Sequence, residues 1–324
     1  MNQFDIFFYE AFEEEAPALR RHLDPAWRAG FTPQTIQETG DTAPPAPVIS
    51  IRTQSVIPPA WAAKLRGIQT RATGYDHIIA FQRAAKNFPP CGSLPKYCGR
   101  AVAEHAAMMM LALLRRLPRQ IEQFNRFHRD GLTGREVQYK TLLVAGAGDI
   151  GGHIANIGRG LGMNVLAADI VHRHFNLHYL TLDEGIRVAD VIVCSMNLTS
   201  ENLGLLGYDR LRRARPGCIF INVSRGEISP PEDLERLLDE NILGGVGLDV
   251  FEDEPGLATA LRQPHENDAP AYEAVRTLRE RDDVILTPHN AFNTVESTER
   301  KSLESARELA HFFAHEKFAT PVSI

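Results

Sequence analysis

The chain has 324 residues, 44% hydrophobic and 23% charged, with 35 Lys and Arg against 41 Asp and Glu for a formal charge of −6. That length and balance describe a folded chain with room for two sizeable cores, which excludes wholesale disorder. No long basic run supplies the electrostatic footprint of a nucleic-acid binder, so the reading is small-molecule chemistry with no nucleic acid among the partners.

The amino terminus, MNQFDIFFYEAFEEE, is acidic and lacks a basic segment before a long apolar core. It reads as a strand entering a helix rather than a signal peptide. The cysteines, Cys91, Cys98, Cys194 and Cys218, have no metal-ligand spacing and read as reduced thiols, which together predict a cytoplasmic protein. Short β-rich runs then alternate with helical patterns: FDIFFY, the 13–23 region, PVISI after the Pro-rich loop 44–47, the 60–65 region, and GIQTRAT. Such alternation predicts parallel strands with crossover helices.

A long helical pattern, RAVAEHAAMMMLALLRRLPRQIEQFNRFH, follows and connects the two halves; Pro118 ends or kinks its first helix. Its longest apolar run, residues 106–114, is far short of the roughly 20 residues a membrane span needs. The triple methionine, residues 108–110, reads as core or dimer interface, and His105 as helix packing. A second series of apolar runs comes next: TLLVAG, NVLAAD, DVIVCS, CIFINVS, GGVGLDV and DVILTPH, each suited to a strand covered on both faces. A final helix has Leu303, Ala306, Leu309, Ala310 and Phe313 at helical spacing and is expected to pack on the first domain.

TLLVAGAGDIGG holds Gly146, Gly148 and Gly151 in GxGxxG spacing between a strand and a helix, with Asp149 and Ile150 in the turn. The next strand ends at Asp169, and 169 − 151 = 18 places this acid where it can accept both adenosine ribose hydroxyls. Glycines permit close pyrophosphate approach, and helix amides face its charge. Asp169 repels a 2′-phosphate, which predicts NAD; His172, Arg173 and His174 nearby keep NADP as the alternative.

Three further strand ends carry Arg225, Glu254 and His289, and polar residues at the carboxyl ends of parallel strands converge in space. Arg225 is suited to the carboxylate or carbonyl of a 2-oxo acid, and His289 to proton transfer to the alkoxide that hydride addition leaves. Glu254, bonded to the imidazole, orients it and favours its charged form, which predicts a raised histidine pKa. His172, His174, His265 and His311 show no metal spacing, and no metal is expected.

GAGDIGG, NVSRGE, GLDVFEDEP and TPHNAF together resemble the D-isomer-specific 2-hydroxyacid dehydrogenase family over essentially the whole chain. The resemblance implies two doubly wound parallel-sheet α/β domains: a flavodoxin-like substrate domain, residues 1–98 plus 293–324, and a Rossmann NAD-binding domain, residues 99–292. It implies catalytic roles for Arg225, Glu254 and His289. It also implies cofactor contacts from Gly146, Gly148, Asp149, Ile150, Gly151, Asp169, Asn197, Thr199, Val223, Ser224, Arg225, Asp249 and His289, and substrate contacts from Thr73, Gly74, Tyr97 and Arg225. SLPKYCGRAVAEHAA resembles the D-lactate branch, in which a tyrosine matching Tyr97 reaches the substrate pocket. Pyruvate-like acids are therefore the expected substrates, with a glyoxylate or hydroxypyruvate reductase, or an NAD(H)-sensing corepressor-like scaffold, as alternatives. A homodimer is the family expectation. Two departures stand out: Asn293 where the lactate branch has an aromatic, and Asn197 where the family has a proline.

Overall fold

The computed structural model describes residues 3–262 and 269–322. His265 lies outside the described residues. The chain forms two compact units, Met1–Cys98 with Asn293–Ile324, and Gly99–Phe292.

In chain order, the first unit begins with strand β1 (Ile6–Phe8), helix α1 (Glu15–His22), β2 (Ala29–Phe31), α2 (Ile36–Thr39), β3 (Val48–Ile51), β4 (Gly67–Thr70), α3 (Asp76–Ala84) and β5 (Cys91–Gly92). The 60–65 region, read as helix, is a 3-10 turn over Pro59–Lys64, with a proline at its start. A capping box, Thr35 with Glu38, starts α2.

The second unit opens with α4 (Gly99–Leu114) and α5 (Leu117–Phe124). The break falls at Arg116, in the left-handed region at φ 53°, and Pro118 sits in the first turn of α5, where its missing N–H costs nothing. Then come β6 (Thr141–Ala145), α6 (Asp149–Gly160), β7 (Asn164–Ala168), β8 (His178–Tyr179), α7 (Leu182–Val188), β9 (Val191–Cys194), α8 (Tyr208–Leu211), β10 (Cys218–Asn222), α9 (Pro231–Asp239), β11 (Leu243–Leu248), α10 (Glu254–Arg262), α11 (Pro270–Arg279) and β12 (Val284–Leu286). The chain returns to the first unit for α12 (Val295–His315) and β13 (Pro321–Val322).

The first sheet has the order β13-β5-β4-β3-β1-β2, with parallel pairs except for the antiparallel edge strand β13 on β5. The second runs β12-β11-β10-β9-β6-β7-β8, parallel throughout. The all-buried runs VIVC of β9 and CIFIN of β10 fill its centre, as strands covered on both faces must. These are the two parallel-sheet α/β domains the sequence predicts.

The register of α12 follows the apolar pattern at Ala306 and Leu309, which are buried, and at Phe313, which packs against the same core, and departs from it elsewhere. Its buried face runs through Thr298, Lys301, Ser305, Leu309 and Phe312, while Ala310 is exposed and Leu303 only half-buried. A charged pair adds to this face: Lys301 Nζ lies 3.0 Å from the Glu15 carboxylate of α1, so the helix also turns a lysine inward.

Candidate functional site

In each sheet the strand order reverses at an inner pair, β1/β3 in the first and β6/β9 in the second, and ligands of open parallel sheets gather beyond the carboxyl ends of the strands at such a point. The β6 end carries the glycine turn. Gly146 sits at φ 93°, and a Cβ there would lie 2.5 Å from the Met196 amide nitrogen, so only glycine fits. Gly151 likewise packs against the Gly146 carbonyl. Around Gly148 the space is open: a Cβ there would meet nothing within 4 Å. Asp149 and Ile150, placed in the turn by sequence, form instead the first turn of α6, whose amides open toward that space; the Asp149 carboxylate lies against Gly99 of α4.

Asp169, just past β7, accepts the Ala147 N–H at 2.6 Å and the Val171 N–H at 2.8 Å, tying the strand end to the glycine turn. His174 Nε2 lies 3.0 Å from the Gly148 carbonyl oxygen, and His172 stacks on Tyr179 at 4.0 Å. Both histidines therefore have intramolecular partners beside the acid. Open space at an uncapped helix start, flanked by an acid at the next strand end, fits a dinucleotide pyrophosphate and ribose.

Asn197 and Thr199 are exposed in the segment after β9. Asn202 holds this loop, donating to the Asn197 carbonyl at 2.7 Å and accepting the Thr199 N–H at 2.8 Å. A side-chain amide thus fixes the segment in which Asn197 stands. Val223 and Ser224 are buried; the Val223 N–H donates to the Cys194 carbonyl at 3.2 Å, and the Ser224 hydroxyl donates to that of Met196.

Beyond β10, Arg225 adopts an extended backbone, its carbonyl accepting from Asn222 Nδ2 at 2.8 Å. A Cβ on Gly226 would collide with the Phe251 and Glu252 backbone, so that glycine lets the β10 and β11 ends close up. Glu254, at the start of α10, lies 2.8 Å from His289 Nδ1. Burial pushes the Glu254 carboxyl up, but the hydrogen bond and charge of His289, the Phe251 N–H and the Arg225 charge outweigh it and leave the group below its ordinary range. Arg225, Glu254 and His289 are thus brought together.

His289 itself sits at φ 50°, its N–H donating to the Thr287 carbonyl at 3.0 Å. Asp249 is 1% exposed. Its carboxylate accepts the Thr287 hydroxyl at 2.6 Å and the N–H groups of Asn290 at 2.8 Å and Ala291 at 2.9 Å. Expected as a cofactor contact, Asp249 is placed as the anchor of the loop that carries His289. His105, read as helix packing, adds to this anchor: its Nε2 is 3.0 Å from the Thr287 hydroxyl and 3.7 Å from Asp249. Burial lowers its pKa against the opposing Asp249 charge. Among the described residues no group of His, Cys, Asp and Glu could hold a metal ion, and no helix is long and apolar enough to cross a membrane.

In the first unit, the Thr73 hydroxyl donates to the Leu94 carbonyl at 3.2 Å, in the loop after β4 that includes Gly74. Tyr97, expected to reach a pocket, is buried at 5% exposure, with Lys301 Nζ 5.9 Å from its ring centre and burial pushing its phenol well up.

Fold and turn together define a nicotinamide-dinucleotide-binding oxidoreductase. Residues 107–291 match the family described as D-isomer specific 2-hydroxyacid dehydrogenase, NAD binding domain. A D-lactate dehydrogenase of Escherichia coli K12 is 31% identical over 224 residues, 67% of each chain, and a glyoxylate reductase of Pyrococcus furiosus is 28% identical over 78% of this chain and 74% of its own. The solved D-lactate dehydrogenase of Aquifex aeolicus, complexed with NAD and lactic acid, superposes with a TM-score of 0.83 at 26% identity, covering 98% of this chain and 100% of the other. The chain belongs to the D-isomer-specific 2-hydroxyacid dehydrogenase family, and its activity class is NAD-dependent oxidation and reduction of 2-hydroxy and 2-oxo acids.

Proposed function

We propose that this chain reduces a small 2-oxo acid to the D-2-hydroxy acid, with Arg225, Glu254 and His289 at the reacting centre. The observation that carries this reading is the 2.8 Å contact between His289 Nδ1 and a Glu254 carboxylate whose charge is reinforced by Arg225. NADH, bound at the glycine turn, supplies the hydride. Arg225 offers planar, permanently charged donors to the carbonyl oxygen and opposes the negative charge that develops there. With Glu254 accepting from Nδ1, Nε2 is the nitrogen that gives its proton to the alkoxide, and Glu254 balances the imidazolium in the reverse direction. Thr73, Gly74 and Tyr97 are assigned to substrate binding with Arg225.

Both the D-lactate dehydrogenase and the glyoxylate reductase relatives act on acids of two or three carbons, which supports small substrates. Met108, Leu111 and Leu117 are exposed and line an apolar hollow along α4 and α5, which supports a homodimer through these helices. The cysteines, all buried and free, support a reducing, cytoplasmic setting.

His289→Ala and Arg225→Ala test the assignment. Each should lower kcat by about 100-fold or more, the scale of lost acid–base or oxyanion catalysis, with NADH binding retained. Undiminished turnover of pyruvate or glyoxylate by either variant would sink it.

A further inference from the structure

The two helices before β12 form a clasp that the chemistry above does not account for. Glu254 opens α10 and reaches His289 Nδ1 at 2.8 Å, so the direction of that helix start decides where the carboxylate lies. Asp253, the residue before it, sits in the left-handed region at φ 46°, a conformation that a non-glycine residue keeps only where other contacts hold it. Its side chain supplies two of them. Asp253 Oδ1 accepts the Gly256 N–H at 3.3 Å, as a capping aspartate does, and Oδ2 accepts the hydroxyl of Tyr272 from α11.

Gly256 belongs to the same arrangement. A Cβ there would land on both the Asp253 carboxylate and the Tyr272 hydroxyl, so a bare backbone at 256 is what lets the two meet. In the last turn of α10, the Ala260 carbonyl accepts from Arg276 of α11 at 2.9 Å, so α11 holds α10 at both ends. A small cavity lies between the β10 and β11 ends and the two helices, lined by Ser229, Val250, Leu257, Tyr272 and Val275. Apolar packing is incomplete there, and a void offers no atoms to fix a helix against, which leaves the polar clasp to set it. Helix α11 also packs on β12, the strand that runs into the His289 loop. One helix therefore touches both the element that carries Glu254 and the element that leads to His289.

We propose that Tyr272 is a positioning residue of the proton-transfer pair: by fixing Asp253 it aims Glu254 at His289 Nδ1. This rests on the dehydrogenase reading, in which Glu254 orients the imidazole, and adds a residue to it.

The test measures kcat, NADH affinity and Tm for the wild type, Tyr272→Phe, Gly256→Ala, Glu254→Gln and the double variant Tyr272→Phe/Glu254→Gln, with pyruvate and glyoxylate as substrates. Tyr272→Phe keeps the ring against the cavity and removes the donor. Its kcat should fall about 10-fold, the scale of one hydrogen bond to a charged group, with NADH affinity held within about twofold. Gly256→Ala should lower kcat by a similar factor, although alanine is the better helix former and helix propensity alone predicts no loss. In the Glu254→Gln background the effect of Tyr272→Phe should vanish, because the charge being aimed is gone; a tyrosine that only props the fold would slow both backgrounds by the same factor. Wild-type kcat in Tyr272→Phe or in Gly256→Ala, or equal fractional losses with and without the Glu254 charge, would overturn the proposal and leave the dehydrogenase reading standing. Failure of the wild type to oxidise NADH with either acid would overturn both.

Discussion

Asp249→Asn is a near-isosteric change whose cost can be worked from the structure. The wild-type carboxylate is 1% exposed and accepts three donors, two on Oδ1 and one on Oδ2. An amide offers one oxygen, so at least one buried donor is left facing an NH2 group. Losing one charge-assisted bond and stranding a buried donor costs about 2–4 kcal/mol. For a unit of this size that corresponds to a fall in Tm of about 5–15 °C. Because the three donors belong to residues 287, 290 and 291, which bracket His289, the loop should also lose its set, and misplacement of a catalytic group by an ångström costs about 100-fold in kcat. Thermal unfolding followed by circular dichroism, with steady-state turnover and an NADH titration, reads all three quantities. Wild-type Tm and kcat in this variant would refute the anchoring role.

Gly148→Ala should leave Tm within about 1 °C, since the added methyl meets nothing, yet weaken NADH by about 10-fold or more because it fills the space at the helix start; fluorescence titration measures this. Glu254→Gln should lower kcat by about 100-fold or more, as expected when the orienting charge behind a proton-transferring imidazole is removed. The sign of its pH effect follows from a carboxyl lowered in the folded state: its stabilisation is complete above the ordinary carboxylate range and is lost as pH falls through the lower folded value. Chemical unfolding of wild type and Glu254→Gln should therefore differ by a constant above about pH 5 and converge on acidification.

The glycine turn was legible because its parts are local: strand, Gly146, Gly148 and Gly151, helix, and Asp169 within one β-α-β unit. Arg225, Glu254 and His289 were legible through their strand-end positions and surrounding motifs, although only the fold brings His289 and Glu254 to 2.8 Å. What escaped the sequence depends on partners far along the chain. Asp249 meets its donors 38 to 42 residues later, so nothing beside it marks an anchor rather than a ligand contact. Glu15 stands in an acidic run and Lys301 in a helix rich in charge, so both look solvated. Their pairing across α1 and α12 buries them, and it adds a lysine to an inward face that the apolar pattern marks at Ala306, Leu309 and Phe313.

Following NADH absorbance with pyruvate, glyoxylate and oxaloacetate and resolving the products on a chiral column tests the dehydrogenase assignment. NADH oxidation should require His289, with D-configured product wherever the hydroxy acid is chiral. No turnover with any acid, or an L-configured product, would contradict it.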